Sequence, residues 1–290
     1  MGAWTTRLIK LLGATLVYPI MEAWRLLAKL VGDPFSGFAV AIYYHRVPAE
    51  YAQRFARQMD KLVRWCEPIR ADRSDPPRPG SRSVMLTFDD GWHTFYTTAL
   101  PEIARRKIPV TVFPIVERLG EPLESDIDER LMTRDELLRL PTESVTIGSH
   151  TCTHAKLPML DEQDVRRELR DSRKALKDLT KRDVKLFCFP HGVSSPDTIR
   201  WCAEEGYTRV FTGMPSLAIR RGDEFAVGRI IAKPTDWAIE FHLKISGAYC
   251  WVPVAIAAKR ALRSTLRSIS PGNASSRPGN ASSREDQQTA

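Results

Sequence analysis

Two short stretches of this chain hold residue types that do chemistry when they meet. Thr87-Phe88-Asp89-Asp90-Gly91 carries adjacent carboxylates, and Ser149-His150-Thr151-Cys152-Thr153-His154 carries two histidines four residues apart. A carboxylate and two imidazoles form a ligand set for one divalent ion, and three protein ligands leave positions open for water and substrate. A second carboxylate beside such a centre is placed to take the proton of a bound water. Alone, Asp-Asp-Gly is more often a turn, and a single histidine is more often a packed or surface residue. Their co-occurrence points to a mononuclear metal hydrolase.

The local sequence says how these groups are presented. Asp89 and Asp90 follow directly on Val84-Met85-Leu86-Thr87-Phe88, so they emerge where a buried strand ends. Adjacent residues on an extended strand point opposite ways. The turn that Gly91 permits lets both carboxylates approach one ion by different routes. His150 lies just past Val145-Thr146-Ile147, and the next turn of chain brings His154 to the same side.

These motifs, in this order, resemble the first two motifs of the polysaccharide deacetylases, the NodB-like carbohydrate esterases. Tyr43-Tyr44-His45-Arg46-Val47 is similar to the Tyr-His-x-Val opening of one large bacterial branch, and Phe187-Cys188-Phe189-Pro190-His191-Gly192 to its aromatic-Pro-x-Gly third motif. The similarity spans roughly residues 38 to 245. It implies that Asp90, His150 and His154 hold the metal, Zn²⁺ foremost, with Co, Ni or Fe also suited to such ligands. It implies Asp89 as general base, and Pro190 and His191 as substrate-binding residues, the His191 amide lying near the oxyanion. The more widely known third motif has an arginine two residues before its proline, where this chain has Cys188. No motif therefore names the group that orients the base. Relatives often donate the leaving-group proton from a late histidine in a Leu-x-x-His-like motif. His242, in Thr235-Asp236-Trp237-Ala238-Ile239-Glu240-Phe241-His242, is the late histidine here. His45 at the end of the first strand is a further candidate, while His93, three residues after Asp90, reads as a substrate contact or a helix-start residue, and spacing does not choose among them. The implied reaction is hydrolysis of an N-acyl amide on an amino sugar, releasing acetate or formate, without a Ser or Cys intermediate.

These groups must be positioned by alternating elements. Short unbroken apolar runs occur at residues 38–44, 84–88, 110–115, 145–147, 186–189, 209–211 and 225–231, as expected of strands buried on both faces. Helical stretches separate several of them, at 51–65, 97–106 and 161–180, the last with Val165, Leu169, Leu176 and Leu179 on one stripe. Thr133-Arg134-Asp135-Glu136 reads as a capping box. Repeated β–α units predict a parallel sheet in an α/β protein, and the resemblance implies a distorted, seven-stranded (β/α) barrel. Sites in such folds lie where strands end.

The totals bound the rest. A chain of 290 residues, 43% hydrophobic and 27% charged, can bury one large core. Its formal charge of +8 invites a nucleic-acid partner. No nucleic-acid motif accompanies it, and much of the excess sits at the ends, as in Lys259, Arg260, Arg263 and Arg267. The partner that the resemblance implies is a carbohydrate, free or lipid-linked. The 5 cysteines are odd in number and contain no Cys-x-x-Cys pair, which argues against a secreted disulfide framework. Residues 1–36 form a basic amphipathic segment, in which the uncharged run Leu11–Met21 is broken by Gly13 and Pro19. That run is too short to cross a bilayer and suits a membrane-surface anchor. Residues 37–246 form the deacetylase-like domain, 247–268 an apolar and basic segment, and 269–290 a disordered tail repeating Pro-Gly-Asn-Ala-Ser-Ser-Arg, with sequons at Asn273 and Asn280. The expectation is an N-deacetylase at the cytoplasmic face of a membrane. The alternatives are a secreted deacetylase of chitin-like, peptidoglycan or exopolysaccharide polymers, and a non-catalytic glycan-binding barrel.

Overall fold

The computed structural model describes residues 3–123, 126–218, 221 and 224–269. A long helix, α1 (Ala3–Leu30), leads into β1 (Phe38–Tyr44), α2 (Ala52–Trp65), β2 (Glu67–Pro68) and β3 (Arg82–Asp90). Then follow α3 (Leu100–Arg105), β4 (Val110–Pro114), the small hairpin β5 (Pro122–Leu123) and β6 (Asp126–Arg130), α4 (Arg134–Leu138) and β7 (Val145–Ile147). The last part runs α5 (Glu162–Thr180), β8 (Leu186–Cys188), α6 (Pro196–Glu204), β9 (Arg209–Thr212), β10 (Ala226–Ile231), α7 (Ala238–Ile245) and α8 (Trp251–Ile269). Two compact units result, Met1–Pro253 and Val254–Ala290. The second contributes the rest of α8, and the tail expected over 269–290 lies outside the described residues beyond Ile269.

Seven parallel strands run in the order β7-β4-β3-β1-β10-β9-β8, with β2 added beside β3. The two edges approach each other through a parallel bridge between Ser149 and Phe187, where Ser149 N–H donates to Leu186 and Cys188 N–H to Ser149. The sheet is thereby nearly closed into a barrel; the alternation of strands and helices predicts its parallel strands, and the resemblance its closure.

Both faces of the strands are apolar for separate reasons. Ala39, Ala41, Met85, Phe113, Leu186, Cys188, Phe211 and Val227 form one buried cluster, the inward set of a period-two alternation. The intervening residues face helices: Tyr44 stacks on Phe88 at 5.4 Å, and Phe55 of α2 meets both rings edge-on. Each such aromatic contributes about 1.5–3 kcal/mol by leaving water. Gly148 continues from β7 without a side chain because a Cβ there would stand 2.3 Å from the Phe113 ring. The capping box is formed, with Thr133 and Glu136 exchanging both hydrogen bonds at the start of α4. Residues 117–130, featureless in sequence, contain the β5–β6 hairpin.

The N-terminal segment differs from its expected form. Helix α1 is unbroken through Gly13 and Pro19, and from Trp4 to Leu30 it is long and apolar enough, by length and composition, to cross a membrane. It lies instead along the outside of α7. Arg7 donates to Glu240 at 3.0 Å, Tyr18 meets His242, and Glu22 pairs with Arg82 at the start of β3. Sandwiched in this way, α7 is buried from Glu240 to Ile245. It holds a charge network in which Lys244 binds Asp236 at 2.7 Å and Glu240 at 3.3 Å. Burial raises the Asp236 pKa despite its lysine. Such buried charges persist only as satisfied partners.

Candidate metal centre and active site

Two carboxylates leave the end of β3 in different directions, as the extended backbone requires. Asp89 points into the barrel, and Asp90 turns over the rim in a left-handed conformation with φ 65°. His150 and His154 lie on the loop after β7. The Nε2 atoms of His150 and His154 stand 3.3 and 3.4 Å from Asp90 Oδ1. Ligand atoms about 2.1 Å from one ion at tetrahedral angles are about 3.4 Å apart, so these separations suit a shared metal. Asp90 Oδ1 is buried and accepts no hydrogen bond, the condition of an atom awaiting a cation.

The remaining atoms of these side chains are held in place. Trp92 Nε1 donates to Asp90 Oδ2 at 2.9 Å. His150 Nδ1 lies 2.8 Å from the Cys188 carbonyl, which fixes a proton on Nδ1 and turns Nε2 toward Asp90. Glu168 of α5 accepts from Cys152 N, Thr153 N and Thr153 Oγ1 at 2.7, 3.2 and 2.7 Å. That carboxylate clamps the loop between the two histidines. Asp90, Thr151, His154 and His191 all have positive φ, four of the six such non-glycine residues described. Left-handed backbone costs about 1–3 kcal/mol per residue, and here it is concentrated at one site.

Charge is arranged to match. Burial opposes ionisation of Asp90, yet His150, His45 and His154 hold its carboxyl well below the usual range. Burial pushes His154 down to about 4. Burial also disfavours charge on His150, but Cys188 and Asp90 raise it above its ordinary value. One carboxylate thus favours one protonated imidazole, a proton that a divalent ion would displace.

A second set, Asp89, His150 and Cys188, also has its ligand atoms close together. A cation already occupies that place. Arg229 of β10 donates to Asp89 Oδ1 at 2.6 Å and Oδ2 at 2.7 Å, to Thr87 Oγ1 at 3.0 Å and to Cys188 Sγ at 2.8 Å. Arg229 stands where a second cation would have to sit, so the set with Asp90 is the one that could hold an ion, while each Asp89 oxygen keeps a lone pair beyond its bond from Arg229. Burial disfavours the Asp89 anion, and Arg229 overrides it, keeping the pKa below the ordinary value. The Tyr43 ring covers the guanidinium at 4.3 Å, and burial pushes the Tyr43 hydroxyl up to about 12.

Not every residue singled out in the sequence joins this group. The His191 ring lies 4.5 Å from that of His154, and Pro190 is buried beneath the same turn. His45 is exposed at the end of β1, its ring 5.5 Å from Tyr43, and near enough to both aspartates to lower their pKa values. His93 faces away, 3.0 Å from Glu136. The expectation for His242 is corrected: it is buried in α7 between Trp65 and Tyr18, near Lys61 and Arg82. Arg82 begins the nine-residue strand that Asp90 ends, about 26 Å away at 3.3 Å per residue. Sequence reasoning missed Arg229, Trp92 and Glu168. Arg229 had a signal, being the lone charge within the apolar run Phe225–Ile231.

Comparisons with known proteins bear on the family and the fold. Residues 77–210 match the family model described as polysaccharide deacetylase. The Bacillus subtilis protein YxkH is 25% identical over 157 residues, covering 54% of each chain. The poly-beta-1,6-N-acetyl-D-glucosamine N-deacetylase of Staphylococcus aureus (strain MRSA252) is 26% identical over 172 residues, 56% of this chain and 58% of that one. The chain thus aligns with little more than half the length of these relatives. Among solved structures, IcaB from Ammonifex degensii has a TM-score of 0.59 at 23% identity, covering 73% of this chain and 97% of that one. The Streptococcus pyogenes deacetylase PplD, solved with acetate, also gives 0.59, at 18% identity over 72% and 96% of the two chains. These last two likenesses establish the fold.

Proposed function

We propose, from the match of residues 77–210 to the polysaccharide deacetylase family model, that the chain hydrolyses the N-acetyl amide of an amino sugar in a polymeric or lipid-linked glycan. The single observation that carries this reading is the division of labour between adjacent carboxylates. Asp90 Oδ1 is unpartnered and faces two imidazoles, while Asp89 is locked into an anion by Arg229. With a ligand set of two histidines and one carboxylate, hydrolysis is served by a second carboxylate that stays ionised beside the ion to accept a proton.

Asp90, His150 and His154 would hold the ion, Zn²⁺ suiting them best and Co, Ni or Fe also fitting the donor set. A bound divalent ion supplies Lewis acidity and a water of lowered pKa. Asp89 accepts the proton of the attacking water, its two oxygens kept in line by the bidentate Arg229 fork. His191, in the turn after β8, faces His154 and offers its backbone N–H to the oxyanion as charge develops. Pro190 shapes the wall beneath it. The proton for the departing amine comes from His45, the exposed imidazole on the rim beside Tyr43. Acetate and a free amino sugar leave.

The experiment is metal analysis of the purified full chain together with acetate release from β-1,6- and β-1,4-linked N-acetylglucosamine oligomers, wild type beside His45→Ala. Metal together with acetate release, the latter reduced in His45→Ala with metal retained, is expected. Metal-loaded protein that releases no acetate from either glycan would refute the reaction. Full activity in His45→Ala would refute the proton donor alone.

A further inference from the structure

Helix α1 is amphipathic in the opposite sense to a helix on a water-soluble protein. The residues turned toward the barrel, Arg7, Leu11, Ala14, Tyr18, Glu22, Arg25 and Ala28, are buried or half-buried. They include three of the helix's five charges, and Arg7 and Glu22 are spent on the domain, through Glu240 and Arg82. The opposite face carries Leu8, Leu12, Leu16, Ile20, Leu27 and Leu30, all exposed; Leu12 is 66%, Leu16 72% and Ile20 69% accessible. At 100° per residue no charged residue falls within that arc. An apolar strip along a helix about 42 Å long exceeds the scattered apolar exposure usual for a soluble surface.

Three neighbouring features indicate what covers it. Tryptophans stand at both ends, Trp4 at 65% and Trp24 at 67% accessible, and indoles favour the boundary between hydrocarbon and water. Beside Ile20 and Trp24 opens an apolar cavity of about 260 Å³, lined also by Met21, Phe35, Phe38 and Leu217. At the other end Trp237 stands 6.3 Å from Trp4 and forms one wall of a cleft of about 300 Å³. Arg54, Arg57 and Lys61 of α2 line that cleft. Their one acidic neighbour in it, Asp236, is neutralised by Lys244. Apolar strip, boundary indoles and a basic cleft therefore follow one another along one side of the molecule.

We propose that this side is a docking surface for an anionic lipid bilayer. The outward face of α1 lies in the headgroup–acyl boundary parallel to the membrane, and Arg54, Arg57 and Lys61 engage lipid phosphates beside Trp237. The helix does not span, because Arg7 and Glu22 tie it lengthwise to the barrel wall. The basic cleft lies just beyond β10, whose Ile231 is in register with Tyr43 at the catalytic rim. The active-site end of the barrel is thus carried along the membrane rather than away from it. This surface is independent of the reaction assigned above.

The test is flotation of the purified full chain with phosphatidylcholine vesicles, with and without phosphatidylglycerol. Co-flotation with the anionic vesicles is expected, weakened by salt. Leu12→Glu/Leu16→Glu should bind at least about 100-fold more weakly with unchanged thermal unfolding, since both side chains already face outward. Arg57→Gln and Lys61→Gln should each weaken binding about fivefold. Acetate release from a soluble oligomer should be unchanged in all of these, which separates this surface from the site. Failure of the wild type to float would overturn the proposal. So would a wild-type dimer that Leu12→Glu/Leu16→Glu converts to monomer, which would make the covering a second copy of the chain. Protection of α1 from proteases on both sides of sealed vesicles would replace docking by spanning.

Discussion

Replacing Arg229 by Met removes the cation that keeps Asp89 ionised and leaves the carboxylate where it is. The pair is sealed from water, with side-chain accessibilities of 1% and 4%, so solvent cannot take over. Two charge-assisted hydrogen bonds disappear, at 2.6 and 2.7 Å, each worth about 1.5–3 kcal/mol. Their sum, about 3–6 kcal/mol, brackets the roughly 3–5 kcal/mol typical of breaking one half of a buried ion pair. For a domain of this size about 4 kcal/mol lowers Tm by about 8–16 °C. The assay is thermal unfolding of metal-loaded wild type, Arg229→Met, Asp89→Asn and the double variant. Because the damage in Arg229→Met is an orphaned charge, the double variant should melt higher than Arg229→Met, giving a coupling energy of at least about 2 kcal/mol. Arg229→Lys should recover stability only in part, since a single ammonium cannot match both oxygens. Acetate release should collapse in Arg229→Met through loss of an ionised, oriented Asp89. An Arg229→Met protein melting within about 2 °C of wild type, or strictly additive losses in the cycle, would refute the reasoning.

Asp89→Asn should abolish turnover while elemental analysis finds the metal retained, because its oxygens face Arg229 rather than the histidines. Asp90→Ala and His154→Ala should lose the metal, and with it activity, as read by the same analysis. Glu168→Gln should weaken metal binding without touching a ligand, by loosening the loop that carries both histidines; titration with Zn²⁺ reads this as a raised Kd. The Arg130 hydrogen bond holds Glu136 at about 2, below its ordinary 4.5. Its stabilisation is therefore fully present above about pH 4.5 and lost as pH falls toward 2. Glu136→Gln should lower Tm at pH 7 and lose most of that effect at about pH 2–3.

What could be read in the sequence was whatever depends on neighbours along the chain. Asp89 and Asp90 follow an apolar strand, and His150 and His154 share a loop; local spacing specifies both presentations, and the barrel brings the two loops together as repeated β–α units require. The capping box at Thr133 and the strip on α5 were legible for the same reason. Arg229 was not, because it reaches Asp89 across the barrel interior, from a strand 140 residues away in sequence. Where the familiar third motif would place an arginine on β8, Cys188 occupies the space and β10 supplies the guanidinium. The absence of an arginine from that motif was therefore no sign that Asp89 lacks a guanidinium partner. His242 misled because lateness in the chain says nothing about which end of a strand a side chain faces. The length of α1 was under-read because Pro19 and Gly13 interrupt the apolar run; an interior proline costs a helix about 3 kcal/mol, which the side-chain anchors of α1 on the barrel offset.

The covering of α7 by α1 bears on how the protein can be handled. A common route to a well-behaved sample is to delete a greasy N-terminal segment and begin expression at the first strand. Here that deletion would unroof α7 and turn its outer side to solvent. Glu240 would lose Arg7, His242 would lose Tyr18, and Arg82 would lose Glu22. The truncated barrel would exchange an apolar helix for a set of half-buried charges stripped of their partners, and would be less stable than the intact chain. Detergent or nanodisc preparation of the intact chain, or polar substitution on the outward face of α1 alone, preserves the roof and is the sounder path to a well-behaved sample.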